Sequence, residues 1–128
     1  MVFWHTTQGF KRAIESRKKE MVDYLINTVN IDLEHSTFDK ILHYAIARAV
    51  LDTLKPEKEA LNDAIFKLLL EKKRAFIDEQ DDTHENLTPL GLCCFSGVIS
   101  IAKVLIENGA DVNPITETNL TPIGLALL

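Results

Sequence analysis

The chain has 128 residues, of which 46% are hydrophobic and 26% are charged, and its formal net charge is −5. This length fits one domain, and the composition is that of an ordinary folded globular protein. The acidic balance argues against nucleic-acid binding, because phosphate recognition needs a basic face. We expect no membrane-spanning helix and no signal peptide, because no apolar run approaches about 20 residues and residues 1–12 lack an apolar core.

The two cysteines, Cys93 and Cys94, are adjacent in sequence. Adjacent residues of a helix point about 100° apart, so a disulfide between the two thiols or a shared metal ion is not expected. Both are expected to be small buried apolar residues in a reducing compartment. The sequence therefore predicts a cytoplasmic protein.

A short motif occurs twice in the C-terminal half of the chain. Residues 86–92 (NLTPLGL) return as residues 119–125 (NLTPIGL), 33 residues later. Within the first copy, Thr88 suits a helix N-cap and Pro89 suits the first helical position. Gly109 suits the left-handed residue that ends a following helix. That helix is predicted from apolar residues at three- and four-residue spacing, namely Val98, Ile101, Ala102 and Leu105.

The segment 88–113 resembles the ankyrin-repeat family, whose pattern opens with Thr-Pro-Leu-His and closes with Gly-Ala-Asp-Val-Asn. Here the pattern reads TPLG at 88–91 and GADVN at 109–113, with the period of 33 residues that the family has. The resemblance implies helix-turn-helix units that stack, because no unit buries its apolar stripe alone. We predict an all-α ankyrin-repeat solenoid of about four stacked units, the second enlarged and the last incomplete.

Weaker copies of the unit precede this one. Residues 9–15 and 21–26 match the two helices of a first unit, and residues 40–45 and 65–71 match those of a second. The first helix is polar enough to cap the N-terminal end of a stack. The units then form one domain over 1–128, with approximate bounds 1–34, 35–82, 83–115 and 116–128.

The second unit is longer than the period, because 48 residues separate Lys40 from Thr88. About twelve extra residues lie around 48–63, where Pro56 followed by Glu57 is typical of a helix start. We predict that both helices of this unit are longer by one or two turns. The insertion carries apolar residues, so it either packs on itself or projects and contacts a partner; these residues are Val50, Leu51, Leu54 and Leu61.

The sequence after Thr121 supplies only the first helix of a fourth unit and finishes on apolar residues 125–128. Repeat arrays need polar caps at their ends. We therefore expect either that the natural protein continues or that another molecule covers this end, with self-association through these leucines as one form of cover.

The resemblance places His43 at the family's structural histidine, which ties the start of the first helix to a neighbouring loop. Gly91 and Gly124 stand at that place in the later units. The resemblance therefore implies a tied junction at His43 and looser junctions at the two glycines.

No catalytic or metal-binding motif is found. His5, His35, His43 and His84 lack the spacing of zinc ligands, and neither a phosphate-binding loop nor a nucleophile turn is present. The carboxylates of residues 78–82 and the basic clusters 11–19 and 72–74 are expected to be solvated. The alternatives are a cation site for the former, and an acidic partner or a membrane surface for the latter. We expect no enzyme activity, cofactor, metal ion or small-molecule substrate.

The resemblance implies that a partner protein binds the hairpin tips and the exposed side of the first helices, on the concave face. Interface energy concentrates in Trp, Arg and other large side chains, so Trp4, Arg48 and Phe95 are the preferred anchors. Alternatively, Trp4 folds over the first unit, Phe95 is half-buried between first helices, and Arg48 pairs with Asp52. The predicted partner-binding residues are Trp4, His5, Arg48, His84, Glu85, Leu87, Phe95, Ser96, Glu117 and Leu120.

The predicted function is that of a scaffold for protein–protein interaction. The alternative is a targeting or positioning arm of a larger protein whose catalytic or membrane domain lies outside this chain. A bacterial effector that acts in the host cytosol would be one example.

Overall fold

A computed structural model describes residues 2–112 of the chain. Within that range the protein is helical and has no β-strand, apart from one isolated bridge between Asp81 and Leu87. This confirms the predicted all-α class for the described residues. The α-helices are α1 (Val2–Glu15), α2 (Lys19–Asp23), α3 (Ile41–Val50), α4 (Pro56–Lys72), α5 (Pro89–Ser96) and α6 (Ile99–Glu107). A π-helix (Tyr24–Thr28) and 3₁₀ helices (Ser36–Phe38, Arg74–Phe76 and Asp82–His84) lie between them.

The helices are arranged as three hairpins placed side by side. Within the hairpins α1 packs on α2, α3 on α4, and α5 on α6. Between hairpins the first helices contact one another in the order α1, α3, α5, and the second helices in the order α2, α4, α6. The result is a layer of first helices against a layer of second helices.

A continuous apolar core lies between the two layers. Phe10 and Phe38 are fully buried, and their rings meet edge to face with centroids 5.4 Å apart. Buried Ile46 of α3, Phe66 of α4 and Ile101 of α6 continue the core through the later hairpins. Each side chain of this size stabilises the fold by about 1.5–3 kcal/mol when it is fully buried.

The third hairpin has the ends that its sequence predicts. The backbone N–H of Gly91 donates to Thr88 Oγ1 at 3.1 Å, and Pro89 occupies the first turn of α5. Gly97 ends α5 at φ +78°, and Gly109 follows α6 at φ +90°. These positive φ angles favour glycine, which has no Cβ to clash. The predicted cap, helix start and helix stop are all confirmed.

The first hairpin repeats this backbone pattern with different residues. Arg17 at φ +56° follows α1 as Gly97 follows α5, and Asn30 at φ +61° corresponds to Gly109. The two left-handed positions are 13 residues apart in the first hairpin and 12 apart in the third. A π-helical turn accommodates one extra residue, and Tyr24–Thr28 supplies that turn.

The second hairpin is enlarged mainly in its second helix. Helix α4 has 17 residues and α6 has 9, whereas α3 has 10 residues and α5 has 8. The start of α4 at Pro56 confirms the predicted signal. The prediction of one or two extra turns is therefore correct for α4 and wrong for α3, because a five-residue turn, 51–55, takes up the remaining insertion.

Candidate partner-binding surface

The exposed side of α1, α3 and α5 forms one surface, here called the first-helix face. The three helices can be aligned on one small buried residue in each, which is Ala13 in α1, Ala45 in α3 and Cys93 in α5. The residues two positions after these form one row along the surface, and the residues three positions after them form a second row. These rows are Glu15, Ala47 and Phe95, and Ser16, Arg48 and Ser96.

Phe95 presents its ring to solvent on this face. Its side chain lies near the end of α5 and is 61% exposed. The alternative of a Phe95 half-buried between first helices is therefore wrong. Ser96 beside it is partly exposed, so both residues are accessible to a partner.

Arg48 is partly exposed on α3 and lies close to Tyr44 on the same helix. The Tyr44 hydroxyl donates to Glu15 Oε2 of α1 at 2.5 Å. Burial and this bond to Glu15 raise the pKa of Tyr44 to about 12, and the positive charge of Arg48 partly opposes the rise. Lys11 Nζ lies 5.6 Å from the centre of the Tyr44 ring. A small polar cluster thus links α1 to α3 on the first-helix face.

Asp52 does not pair with Arg48, contrary to the alternative drawn from their spacing. Its carboxylate is 1% exposed and accepts hydrogen bonds from Arg17 Nε at 2.5 Å and from Asn62 Nδ2 at 2.7 Å. The bond from Arg17 holds the pKa of Asp52 below its ordinary value. Because α3 ends at Val50, Asp52 lies in the turn and not on the helix face that carries Arg48.

The loop before the third hairpin carries one exposed and one buried residue of the predicted partner-binding set, Glu85 and Leu87. Glu85 is exposed and has a left-handed backbone at φ +54°. Leu87 is buried in the core, and its carbonyl accepts a hydrogen bond from His43 Nε2 at 2.9 Å. This bond confirms the expected tie between His43 and a neighbouring loop. Since the Leu87 side chain is buried, it belongs to the scaffold and we omit it from the proposed surface.

The carboxylates of residues 78–82 hold the loops in place, and the expectation of a solvated cluster is wrong for Asp81 alone. Asp81 is buried and accepts from Thr83 N at 2.9 Å and Thr83 Oγ1 at 2.7 Å. Asp78 Oδ1 accepts from the backbone N–H of Asp111 at 2.9 Å. Glu79 pairs with Lys40 at 3.3 Å. Among the side chains that the structure describes, no group of three His, Cys, Asp or Glu is placed to hold a metal ion.

Lys73 is also buried, although its basic cluster was expected to be solvated. Its Nζ donates to the carbonyls of Leu33 at 3.0 Å and Phe38 at 3.4 Å, and lies 4.2 Å from the centre of the Phe76 ring. Burial lowers the pKa of Lys73. The side chain thus joins the loop that precedes α3 to the end of α4. The sequence did not indicate this role, because the acceptors are backbone groups at least 35 residues away.

Several predicted residues lie outside the described residues or have side chains that are not described. Trp4 and His5 belong to α1, and His84 belongs to the 3₁₀ helix Asp82–His84. The side chains of these three residues are not described. Glu117, Leu120 and the apolar residues 125–128 lie outside the described residues.

Cys93 and Cys94 both carry free thiols. Cys93 is buried as expected, which raises the pKa of its thiol, whereas Cys94 is only partly buried.

Comparison with known families bears on the third hairpin. A family model described as ankyrin repeat matches residues 85–113, which contain α5 and α6. The match confirms the resemblance drawn from the sequence for this segment, and ankyrin repeats typically mediate protein–protein interaction. Neither the search of curated proteins nor that of solved structures gave a match. None of the helices within residues 2–112 is both long enough and apolar enough to cross a membrane.

Proposed function

We propose that the chain is an ankyrin-repeat solenoid of about four units that binds a partner protein through its first-helix face. The observation that carries this proposal is the exposure of the Phe95 ring on an ordered helix, in the row that Glu15 and Ala47 continue. Arg48 lies in the adjacent row and supplies a positive charge. Aromatic and arginine side chains in such positions are the usual anchors of protein interfaces.

Two further observations support a repeat array beyond residues 85–113. The first and third hairpins share their left-handed positions, and first helices contact first helices along the layer. A face built on helices that are already ordered loses little conformational freedom on binding, which favours affinity. The proposal treats the protein as a non-catalytic module of the cytoplasm, in keeping with the two free thiols.

Affinity capture from a cytosolic extract tests this function. The bait proteins are the wild type, the double variant Arg48→Ala/Phe95→Ala, and a control variant Met21→Ser. Met21 is exposed on α2, in the other layer, so its replacement removes a comparable apolar surface away from the proposed site. We expect a protein that the wild type and the control capture and the double variant does not.

Equal capture by all three baits would contradict binding through the first-helix face. Helical circular dichroism of each bait serves as the folding control. Because Phe95 is exposed and Arg48 is partly exposed, the double variant is expected to keep the wild-type signal.

A further inference from the structure

The positive charges of the first-helix face are concentrated on its first two hairpins. Apart from histidines, the charged side chains described in α1, α3 and α5 are Lys11, Arg12, Glu15 and Arg48. Three of these four are basic, and α5 carries none of them. The charge of this face is thus positive, although the whole chain has a formal net charge of −5.

The carboxylate of this set, Glu15, is already engaged within the face. Its Oε2 accepts the hydrogen bond from the Tyr44 hydroxyl at 2.5 Å. Arg48 lies close to the same hydroxyl, and Lys11 Nζ lies 5.6 Å from the centre of the Tyr44 ring. Two cations therefore flank Tyr44, and neither of them forms an ion pair with a described side chain.

The turn of the first hairpin adds to this positive charge. Lys18, just before α2, and Lys19, at its start, are both exposed. Arg17 in the same turn does not contribute, because it forms the buried ion pair described above. The next carboxylate along the chain, Glu20, is exposed on α2 and belongs to the other layer. We call the following set the basic end of the first-helix face: Lys11, Arg12, Lys18, Lys19 and Arg48.

Acidic side chains lie at the opposite ends of the first helices. Asp39 is exposed shortly before α3, and Glu85 is exposed in the loop before α5. The eight residues of α3 up to Arg48 rise about 12 Å along the helix axis. This distance exceeds the Debye length of about 8 Å at physiological ionic strength, so a ligand at the basic end senses these carboxylates only weakly.

A short acidic segment fits this charge pattern better than an anionic membrane does. A segment of a few residues contacts the basic end alone. A membrane surface extends over a whole side of the molecule, where the acidic loops would also face it, and the net charge of −5 would repel it.

We propose that the basic end binds the carboxylates of an acidic segment of the partner protein, and that the same segment places an apolar side chain on Phe95. The inference rests on the proposed function and names the chemistry of the partner at that site. Packed helices lie about 8–10 Å apart, so α1 and α5 are about 16–20 Å apart across α3. An extended peptide spans that distance with about five or six residues.

Selection from a displayed library of random linear peptides, with the full chain as the target, tests the proposal. We expect enriched peptides to carry aspartate or glutamate, with an apolar residue about five or six positions away. The affinity of an enriched peptide is then measured by fluorescence anisotropy. Its affinity for the wild type should fall as salt is added, because salt screens exposed charges.

Two double variants locate the binding site of the enriched peptide. Lys11→Gln/Arg12→Gln should weaken binding about three- to tenfold, because each exposed ion pair contributes little. The control Lys67→Gln/Lys103→Gln removes the same charge from exposed positions in the other layer and should change the affinity less. Arg48 is left intact in both, so that the test is separate from that of the proposed function. Helical circular dichroism serves as the folding control.

Other outcomes distinguish this inference from the proposed function. Enriched peptides without carboxylates, whose binding depends on Arg48 and Phe95, would overturn the acidic ligand and leave the proposed function in place. Equal affinity of an acidic peptide for the wild type and both double variants, or an affinity that does not depend on salt, would also overturn it. Enrichment of no peptide would count against both. Binding to anionic phospholipid vesicles that depends on Lys11 and Arg12, without enrichment of acidic peptides, would instead assign the basic end to a membrane surface.

Discussion

Arg17 and Asp52 form a buried contact between the turns of the first two hairpins, with Arg17 Nε 2.5 Å from Asp52 Oδ2. Arg17 has the left-handed backbone that Gly97 has in the third hairpin, although a side chain disfavours that conformation. The contact needs the Arg17 side chain, because its guanidinium neutralises the Asp52 carboxylate, which is 1% exposed. It also fixes the turn that carries Leu51 and Leu54.

Replacement of Arg17 by alanine should destabilise the protein strongly. Removal of one partner leaves a buried charge without compensation, which costs about 3–5 kcal/mol, and we expect the lower end because Arg17 is partly exposed. The free energy of unfolding in urea provides the measurement. Arg12→Ala, at an exposed position on α1, is the matched control and should change it by less than about 0.5 kcal/mol. Equal effects of the two substitutions would show that the buried contact adds nothing.

The same contact predicts how stability depends on acid pH. The pKa of Asp52 is lowered in the folded state, so its contribution is present above the unfolded pKa of about 3.9 and is lost as pH falls through the lower folded pKa. We expect the stability of Asp52→Asn to fall less steeply than that of the wild type below about pH 4. Parallel curves for the two proteins would contradict this assignment.

His43 is expected to stabilise the junction between the second and third hairpins. His43→Ala removes the donor to the Leu87 carbonyl and leaves a cavity in the core, so we expect a loss of about 2–4 kcal/mol. Thermal unfolding followed by circular dichroism measures it. His35→Ala, at the exposed residue that caps the 3₁₀ helix Ser36–Phe38, should lower stability by about 1 kcal/mol or less, because the hydrogen bonds of its ring to Thr37 are exposed to solvent. A larger effect at His35 than at His43 would refute the structural role.

Tyr44 gives a prediction at alkaline pH. Its pKa is raised to about 12 in the folded protein, whereas an unfolded tyrosine ionises near pH 10. The unfolded state therefore releases its proton first, and stability is lost as pH rises from about 10 to 12. Tyr44→Phe should lose less stability than the wild type over this range. Because other groups titrate there in both proteins, the difference between the two curves is the informative quantity.

The third hairpin could be predicted closely because its signals are local. The cap at Thr88, the proline at position 89 and the glycine at position 109 each act within a few residues of the chain. Helix α4 was located for the same reason, since a proline followed by an acidic residue marks its start. The π-helical turn in the first hairpin was not predicted, because it reflects one inserted residue that only the backbone register reveals.

The contacts between hairpins were the part that the sequence did not reveal. The four-residue spacing of Arg48 and Asp52 allows an ion pair, one of the two alternatives for Arg48, only if the helix continues. Helix α3 ends at Val50, and Asp52 pairs with Arg17, which is 35 residues away. Lys73 was expected in solvent because it stands among other basic residues. Its burial depends on backbone carbonyls from a loop that only the packing of the hairpins brings close.

The residue types alone likewise do not determine whether Leu51 and Leu54 are buried or exposed. Apolar residues in an insertion are consistent with a self-packed pair of helices and with a projecting surface. The structure places both side chains in solvent, while Val50 next to them packs partly against the core. The insertion therefore packs on itself through buried Asp52 and Asn62 while the two leucines project into solvent, and contact with a partner stays a prediction.

Photo-cross-linking tests the central claim, partner binding through the first-helix face, most directly. A photoreactive residue replaces Ala47, which lies between Glu15 and Phe95 in its row, and in a second protein it replaces Met21, which is exposed on α2 in the other layer. We expect cross-links to a captured partner from position 47 and not from position 21. Cross-links from position 21 with none from position 47 would contradict the account.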